Sequence, residues 1–344
     1  MSTPAVRVHC VAFADLQQPN AAAAAVQEEH FWHRDGSDST TMNLEPNFPC
    51  CTGNFNQGWP KFATNLAAVA PGNRSAGATL ALSMLAPCSI SANLHLTQSA
   101  KGVATYVNVT TSYPWGSAIN VSIAAPSAFT FAFRVPSWAG EGAALNGKRL
   151  PTGSNGTLHR VAVGVGKTQL RIVLPMRVRI QRRYNGAASV YRGPLLYSLD
   201  LPSTATHLPY CVPVGAPTDG SRAFCSNATY QVEQHGYQYT NASAWNYGID
   251  AASLEFEQVA GTPNAAVPFS SAGSPVVIRA KARQIDWGTV RGSAAAPPAS
   301  PVKSAAPEET LRMIPYGATH GLSLVELPTL PTLPEPEAEA EAHA

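Results

Sequence analysis

The clearest signal along the chain is a period of two. In AFTFAFRV (128–135), Phe129, Phe131, Phe133 and Val135 fall on one side and Ala128, Thr130, Ala132 and Arg134 on the other. A strand with one buried face reads this way, because successive side chains point to opposite sides of a sheet. VATYVNVT (103–110) alternates in the same manner, and TQLRIVLP (168–175) puts Leu170, Ile172 and Leu174 together. Asn146-Gly147 and Asn185-Gly186 lie between such runs and read as tight hairpin turns. Short strands with no helical pattern between them predict a mainly β fold, an antiparallel β-sandwich over 75–200. Ahead of it, Pro60, Phe62, Leu66 and Val69 have helical spacing, so a helix is expected from Pro60 to the Pro71-Gly72 stop.

The pattern is looser from 201 to 328. YQVEQHGYQYT, SPVVIRAKARQIDW and HGLSLVELP read as strands in a second β-rich region. The stretch 293–309, SAAAPPASPVKSAAPEE, is low in complexity and is expected to be a mobile loop. The tail 329–344 carries too little apolar surface to join a core and is expected to be disordered.

Charge narrows the function classes. Charged residues make up 13% of the 344 and the formal net charge is +2, about half the usual charged share. The densest basic run, RVRIQRR (177–183), alternates with Val178 and Ile180 and reads as the polar face of a strand, so no nucleic-acid partner is expected. No apolar run reaches the roughly 18 residues of a membrane-spanning helix, so no membrane partner is expected either. The first residues, MSTPAVRVHCVAFADLQ, lack a charged leader and a clean apolar core, and no signal peptide is read there. Against this stand six Asn-x-Ser/Thr sequons, at Asn73, Asn108, Asn120, Asn155, Asn227 and Asn241. Composition predicts roughly two to three. They are the glycosylation candidates. The excess leans toward a secreted or lumenal origin, which with no leader at Met1 leads to the expectation of a longer parent protein.

Two of the six cysteines are neighbours, in PCCTGNFNQGWPKF (49–62). A pair of buried thiols explains that as well as chemistry does. A disulfide between neighbours is strained, zinc wants four ligands, and a nucleophilic thiolate needs a metal, a cation or a helix N-terminus to hold its charge. His30 and His33, on either side of Trp32, are sugar-contacting or metal-binding residues or simply part of a polar loop. Cys211 and Cys225 bracket a Pro/Gly-rich loop and would pair in an oxidising compartment. Trp115 and Trp138 suit either sugar stacking or packing. The GKT at 166–168 lacks the spacing of a phosphate loop.

LEPNFPCCTGNFNQGWPKF resembles the Cys-Cys-x-x-Asn signature of glycoside hydrolase family 127, the non-reducing-end β-L-arabinofuranosidase-like proteins. The resemblance continues in order through TSYPWGSAINVSI (111–123), FRVPSWA (133–139), LNGKRL, LPMRVRIQRRYNGAASVYRGPLLYSLD (174–200) and MIPYGATHGLSLVELP (313–328). It implies an (α/α)6 barrel followed by β-sandwich domains, and retaining exo-hydrolysis of β-L-arabinofuranosides. The nucleophile in that chemistry is a zinc-bound cysteine, with a glutamate as acid/base, so sulfur takes the place of one carboxylate of a retaining pair. By this resemblance Cys50 matches the nucleophile, itself on the zinc, and Cys51 a zinc ligand. Asn54 matches the signature asparagine and joins His30 and His33 as a candidate substrate-binding residue. The family's Glu-x-Cys ligands lack a counterpart: the one earlier cysteine is Cys10, with Val8 two positions before it. Glu28, Glu29 and Glu45, the glutamates before the pair, match no acid/base motif. The resemblance therefore implies a C-terminal fragment. A barrel remnant fills 1–74, the sandwich 75–200, the second region 201–328 and the tail the rest. On this reading its zinc site is incomplete, and neither zinc retention nor hydrolysis is expected of the chain. The alternative is a noncatalytic module that binds carbohydrate or stabilises a partner domain.

Overall fold

Strand pairing dominates the computed structural model, which describes residues 6–9, 29–30, 41–43, 58–72, 77–94, 104–139, 142–151, 156–213, 223–224, 230–259, 270–290, 293–319 and 322–331. One α-helix lies among them, and all the long strand pairs but one are antiparallel. The chain divides into two compact units, with most of the first within Glu45–Arg177 and most of the second beyond Val178.

The first unit is a sandwich. One sheet orders β1 (Val6–His9), β4 (Cys88–Ala92), β5 (Thr105–Thr111), β6 (Ala118–Ala125), β11 (Gly166–Val173), β8 (Ala144–Leu145) and β9 (Lys148–Arg149). The other orders β10 (Thr157–Val163), β7 (Phe129–Val135), β3 (Thr79–Leu82) and β2 (Ala67–Ala70). The predicted alternation is borne out. Val107 and Val109 of β5, Ile119, Val121 and Ile123 of β6, and Leu170 and Ile172 of β11 point into one core. Phe129, Phe131, Phe133 and Val135 of β7 enter the same core from the other sheet. Each fully buried side chain of this size contributes about 1.5–3 kcal/mol of apolar burial. The hairpin between β8 and β9 is the predicted Asn-Gly turn: Asn146 and Gly147 both have positive φ, 49° and 79°, the requirement of a type I′ turn.

The predicted helix is shorter than its pattern. It runs Gly58–Thr64, and Val69 belongs to β2, paired with Leu80. Side chains close the helix: Thr64 Oγ1 donates to the Pro60 carbonyl (2.9 Å) and Asn65 Nδ2 to that of Lys61 (2.7 Å). Ladder bonds to β3, with Leu66 and Ala67 buried beneath, outweigh a weak helical period.

The second unit centres on a sheet ordered β12 (Val178–Arg182), β13 (Ala188–Arg192), β14 (Leu195–Leu199), β20 (Glu309–Pro315), β19 (Val276–Gln284) and β17 (Tyr247–Ile249), with β18 (Glu255–Gln258) also paired to β19. Two long strands, β15 (Ser203–Pro213) and β16 (Tyr230–Asn241), pair over their whole length in a separate sheet. RVRIQRR is a strand, as its alternation predicts. HGLSLVELP is not. Its described part runs extended beside the sheet, joined through the reciprocal backbone bonds of Ala188 and Leu327 (2.8 and 3.0 Å). Pro328 follows the contact and has no N–H to extend a ladder there.

The low-complexity stretch is also corrected. Residues 295–309 are an ordered strap. Ser300 N donates to the Asn185 carbonyl (2.8 Å), Val302 N to that of Thr329 (2.8 Å), and Arg283 Nη1 to that of Ala306 (2.6 Å). Small Ala, Pro and Ser side chains let this backbone lie close enough to bond, which composition alone does not reveal.

Candidate functional site

Cys50, Cys51, Asn54 and His33 lie outside the described residues, as do Cys10 and Cys225. His30 is placed by its backbone alone, in the short strand Glu29–His30 opposite Met42. Cys211 is on β15, its backbone opposite Ala223. Among the described residues no group of three or more His, Cys, Asp or Glu could hold a metal ion.

The structure does bring two of the quoted motifs together. The Tyr113 ring from TSYPW stacks on Trp138 from RVPSW, with centroids 6.3 Å apart and planes at 20°. The turn carrying Tyr113 is built locally. Thr111 Oγ1 donates to the Ala118 carbonyl (2.8 Å) and accepts from Tyr113 N (2.9 Å). Trp115 N donates to the Ser112 carbonyl (2.8 Å). A Cβ at Gly116 would stand 2.2 Å from Ser112 Oγ, so a larger residue there would force the Ser112 hydroxyl into another rotamer. Tyr113 and Trp138 both pack against the sandwich core. Burial raises the Tyr113 pKa, and the Arg134 guanidinium partly offsets this. The phenol therefore stays protonated at neutral pH, and the pair acts as packing, with one ring face each committed to the other. Trp115 is half-buried in the same turn.

Two polar clusters of the second unit carry no period-two signal and escaped the sequence reading. Arg312 Nη1 bonds Asp200 Oδ2 and also donates to Ser271 Oγ (3.0 Å), while Nη2 donates to the Ser271 carbonyl (2.8 Å). Ser271 Oγ donates to Asp200 Oδ2 (2.8 Å). The carboxylate that accepts from the serine hydroxyl is itself ion-paired to Arg312, so the triad is closed among its own members and ties a loop to the sheet. Arg192, largely buried, lies 3.6 Å over the Phe256 ring. Its pKa is lowered by desolvation, against a smaller opposing effect of Tyr197.

Of the sequons, Asn108 and Asn120 lie exposed on the outer face of β5 and β6, and Asn241 is exposed at the end of β16. Asn73, Asn155 and Asn227 lie outside the described residues.

Comparison with known proteins bears on the segment that holds the Tyr113–Trp138 stack. Residues 89–176 match the family model for the middle domain of GH127, beta-L-arabinofuranosidase. This segment is GH127-like. The match takes in β4 to β11 of the sandwich and about a quarter of the chain. No curated protein matches. Among solved structures, a GH127 beta-L-arabinofuranosidase from Geobacillus stearothermophilus T6 aligns at 17% identity and a TM-score of 0.49, over 81% of this chain and 36% of that one. A structure described as a glycoside hydrolase aligns at 18% identity and 0.49, over 82% and 40%. A GH127 beta-arabinofuranosidase aligns at 15% and 0.47, over 81% and 38%. The chain spans well under half the length of each of these proteins.

Proposed function

We propose that the chain belongs to a family 127-type glycoside hydrolase acting on arabinofuranoside-type carbohydrate. Cys50 is its nucleophile, Cys51 is a zinc ligand beside it, and these 344 residues alone do not complete the site. The match over 89–176 carries this reading, supported by the order of the motifs that follow the cysteine pair. The donor set argues against a site in this chain by itself. Zinc sites take three or four protein ligands, and the Cys50–Cys51 motif offers two. No residues of this sequence match the remaining two or the acid/base carboxyl. The Cys50–Cys51 motif by itself therefore does not make up a zinc site.

The test is zinc content by mass spectrometry, together with hydrolysis of an aryl β-L-arabinofuranoside by the purified chain. The expected result is substoichiometric zinc and no turnover. Stoichiometric zinc with turnover lost in Cys50→Ala would keep the family and overturn the incompleteness. Sugar binding with neither zinc nor turnover, unchanged in Cys50→Ala, would replace the hydrolase reading by a noncatalytic module.

A further inference from the structure

The outer face of the sandwich's larger sheet is largely polar. Across β4, β5, β6 and β11 the register sets Ser89, Asn108, Ser122 and Gln169 in one row, and Thr110, Asn120 and Arg171 in the next. Two sequons interlock here: Asn108 stands opposite Ser122, and Asn120 opposite Thr110. Each asparagine shares its strand face with its own hydroxyl residue two positions on, as the period of two requires.

The hydrogen bonds distinguish the sites. Ser89 Oγ donates to Asn108 Oδ1 (2.9 Å), which fixes the amide through its oxygen. Asn108 is exposed, and its Nδ2, the atom an N-glycan occupies, has no partner among the described residues. Ser122 Oγ, across the strand, is turned away to Gln169 Oε1 (2.8 Å). Asn120 instead neighbours the long Arg171 side chain. At Asn241 the nitrogen itself is used, donating to the Ser243 carbonyl (2.8 Å).

We propose that Asn108 is an N-glycan acceptor, and that the outer face of this sheet is covered by that glycan. In the transfer, Nδ2 forms a bond to the anomeric carbon of an oligosaccharide carried on a lipid diphosphate. The bond from that carbon to the diphosphate oxygen breaks, the lipid diphosphate leaves as the anion, and Nδ2 gives up one proton to a base of the transferase. Nδ2 keeps one N–H and Oδ1 keeps its bond from Ser89, so the folded face accepts the product unchanged. The inference is independent of the hydrolase reading.

The full chain, led into a eukaryotic secretory pathway, is treated with peptide N-glycosidase in heavy-oxygen water, which converts each glycosylated asparagine to a labelled aspartate. Trypsin leaves Asn108 and Asn120 on one peptide, 102–134, because no Lys or Arg intervenes. Fragment ions then place the label. The expected label is at position 108 in most of the peptide, retained in Asn120→Gln and lost in Asn108→Gln. Thr110→Ala removes the acceptor motif while leaving Asn108 in place. It loses the label too, with secretion and Tm unchanged, so the test survives a misfolded Asn108 variant. An unlabelled position 108 in the wild-type chain, or a label retained in Thr110→Ala, would overturn the proposal.

Discussion

Tyr197 is fully buried in β14, and its hydroxyl lacks a hydrogen-bond partner among the described residues. An unpaired buried hydroxyl costs about 1–3 kcal/mol, so removing it should not destabilise. Tyr197→Phe is expected to leave stability at pH 7 unchanged or to raise it, read from urea unfolding. The pH dependence is sharper. Burial pushes the Tyr197 pKa up to about 12, with Arg192 pulling weakly the other way. An unfolded tyrosine titrates near 10, so between these values the unfolded chain releases a proton that the folded chain keeps. Stability due to this group is complete below pH 10 and is lost as pH rises toward 12, by about 3 kcal/mol over that window. In Tyr197→Phe that part of the alkaline loss should vanish; equal alkaline slopes for the two proteins would refute the assignment. Asn185 makes a second case. Its φ of 53° is left-handed, and its Nδ2 donates to the Pro297 carbonyl (2.8 Å). Glycine keeps the backbone and loses one hydrogen bond, at about 1 kcal/mol. Alanine also adds about 1–2 kcal/mol of left-handed strain. The expected stability order is Asn, then Gly, then Ala, and Ala equal to Gly would sink it.

At the scale of elements, the sandwich could be read from the sequence because its strands alternate cleanly against one core. Phe129, Phe131 and Phe133 state a buried face on their own, and the Asn146-Gly147 and Asn185-Gly186 turns state where the chain reverses. What the sequence concealed was decided by partners far away along it. Val69 has helical spacing from Phe62 but pairs with Leu80. Leu327 reads as part of a strand, yet makes one bridge to Ala188. The strap around 295–306 looked low in complexity because its order resides in backbone bonds to Asn185 and Thr329 and in the hydroxyls of Ser300 and Ser304, bonded to Thr329 and Gln284, rather than in large apolar side chains. Hydrogen exchange tests this directly. The amides of Ser300 and Val302, donating to Asn185 and Thr329, should exchange slowly, with protection like that of β19. Exchange as fast as in an unstructured peptide would restore the mobile-loop reading. Ser300→Ala, which removes the oxygen that accepts from Thr329 N (3.0 Å), should loosen Thr329 without freeing Val302.

For the whole molecule, the candidate site was legible in a different way from the fold. Cys50 and Cys51 stand out as a pair in one short motif, but a zinc site is a meeting of ligands from several segments, and adjacency within one segment says little about the others. The described β units are held by something else. Their cores are apolar, and their polar ties, such as Asp200 with Arg312 and Ser271, are closed among protein groups. Metal binding contributes to folding where the site organises the core, and among the described residues no cluster of three donors exists to do that. Chelation by EDTA should therefore leave the Tm of the purified chain unchanged, and Cys50→Ala and Cys51→Ala should melt with the wild-type chain. A fall of several degrees on chelation, restored by zinc and absent from Cys51→Ala, would mean that the cysteine pair finds its remaining ligands within these 344 residues. That result would make the chain a metalloprotein in its own right and would overturn the incompleteness of the donor set while leaving the family reading in place.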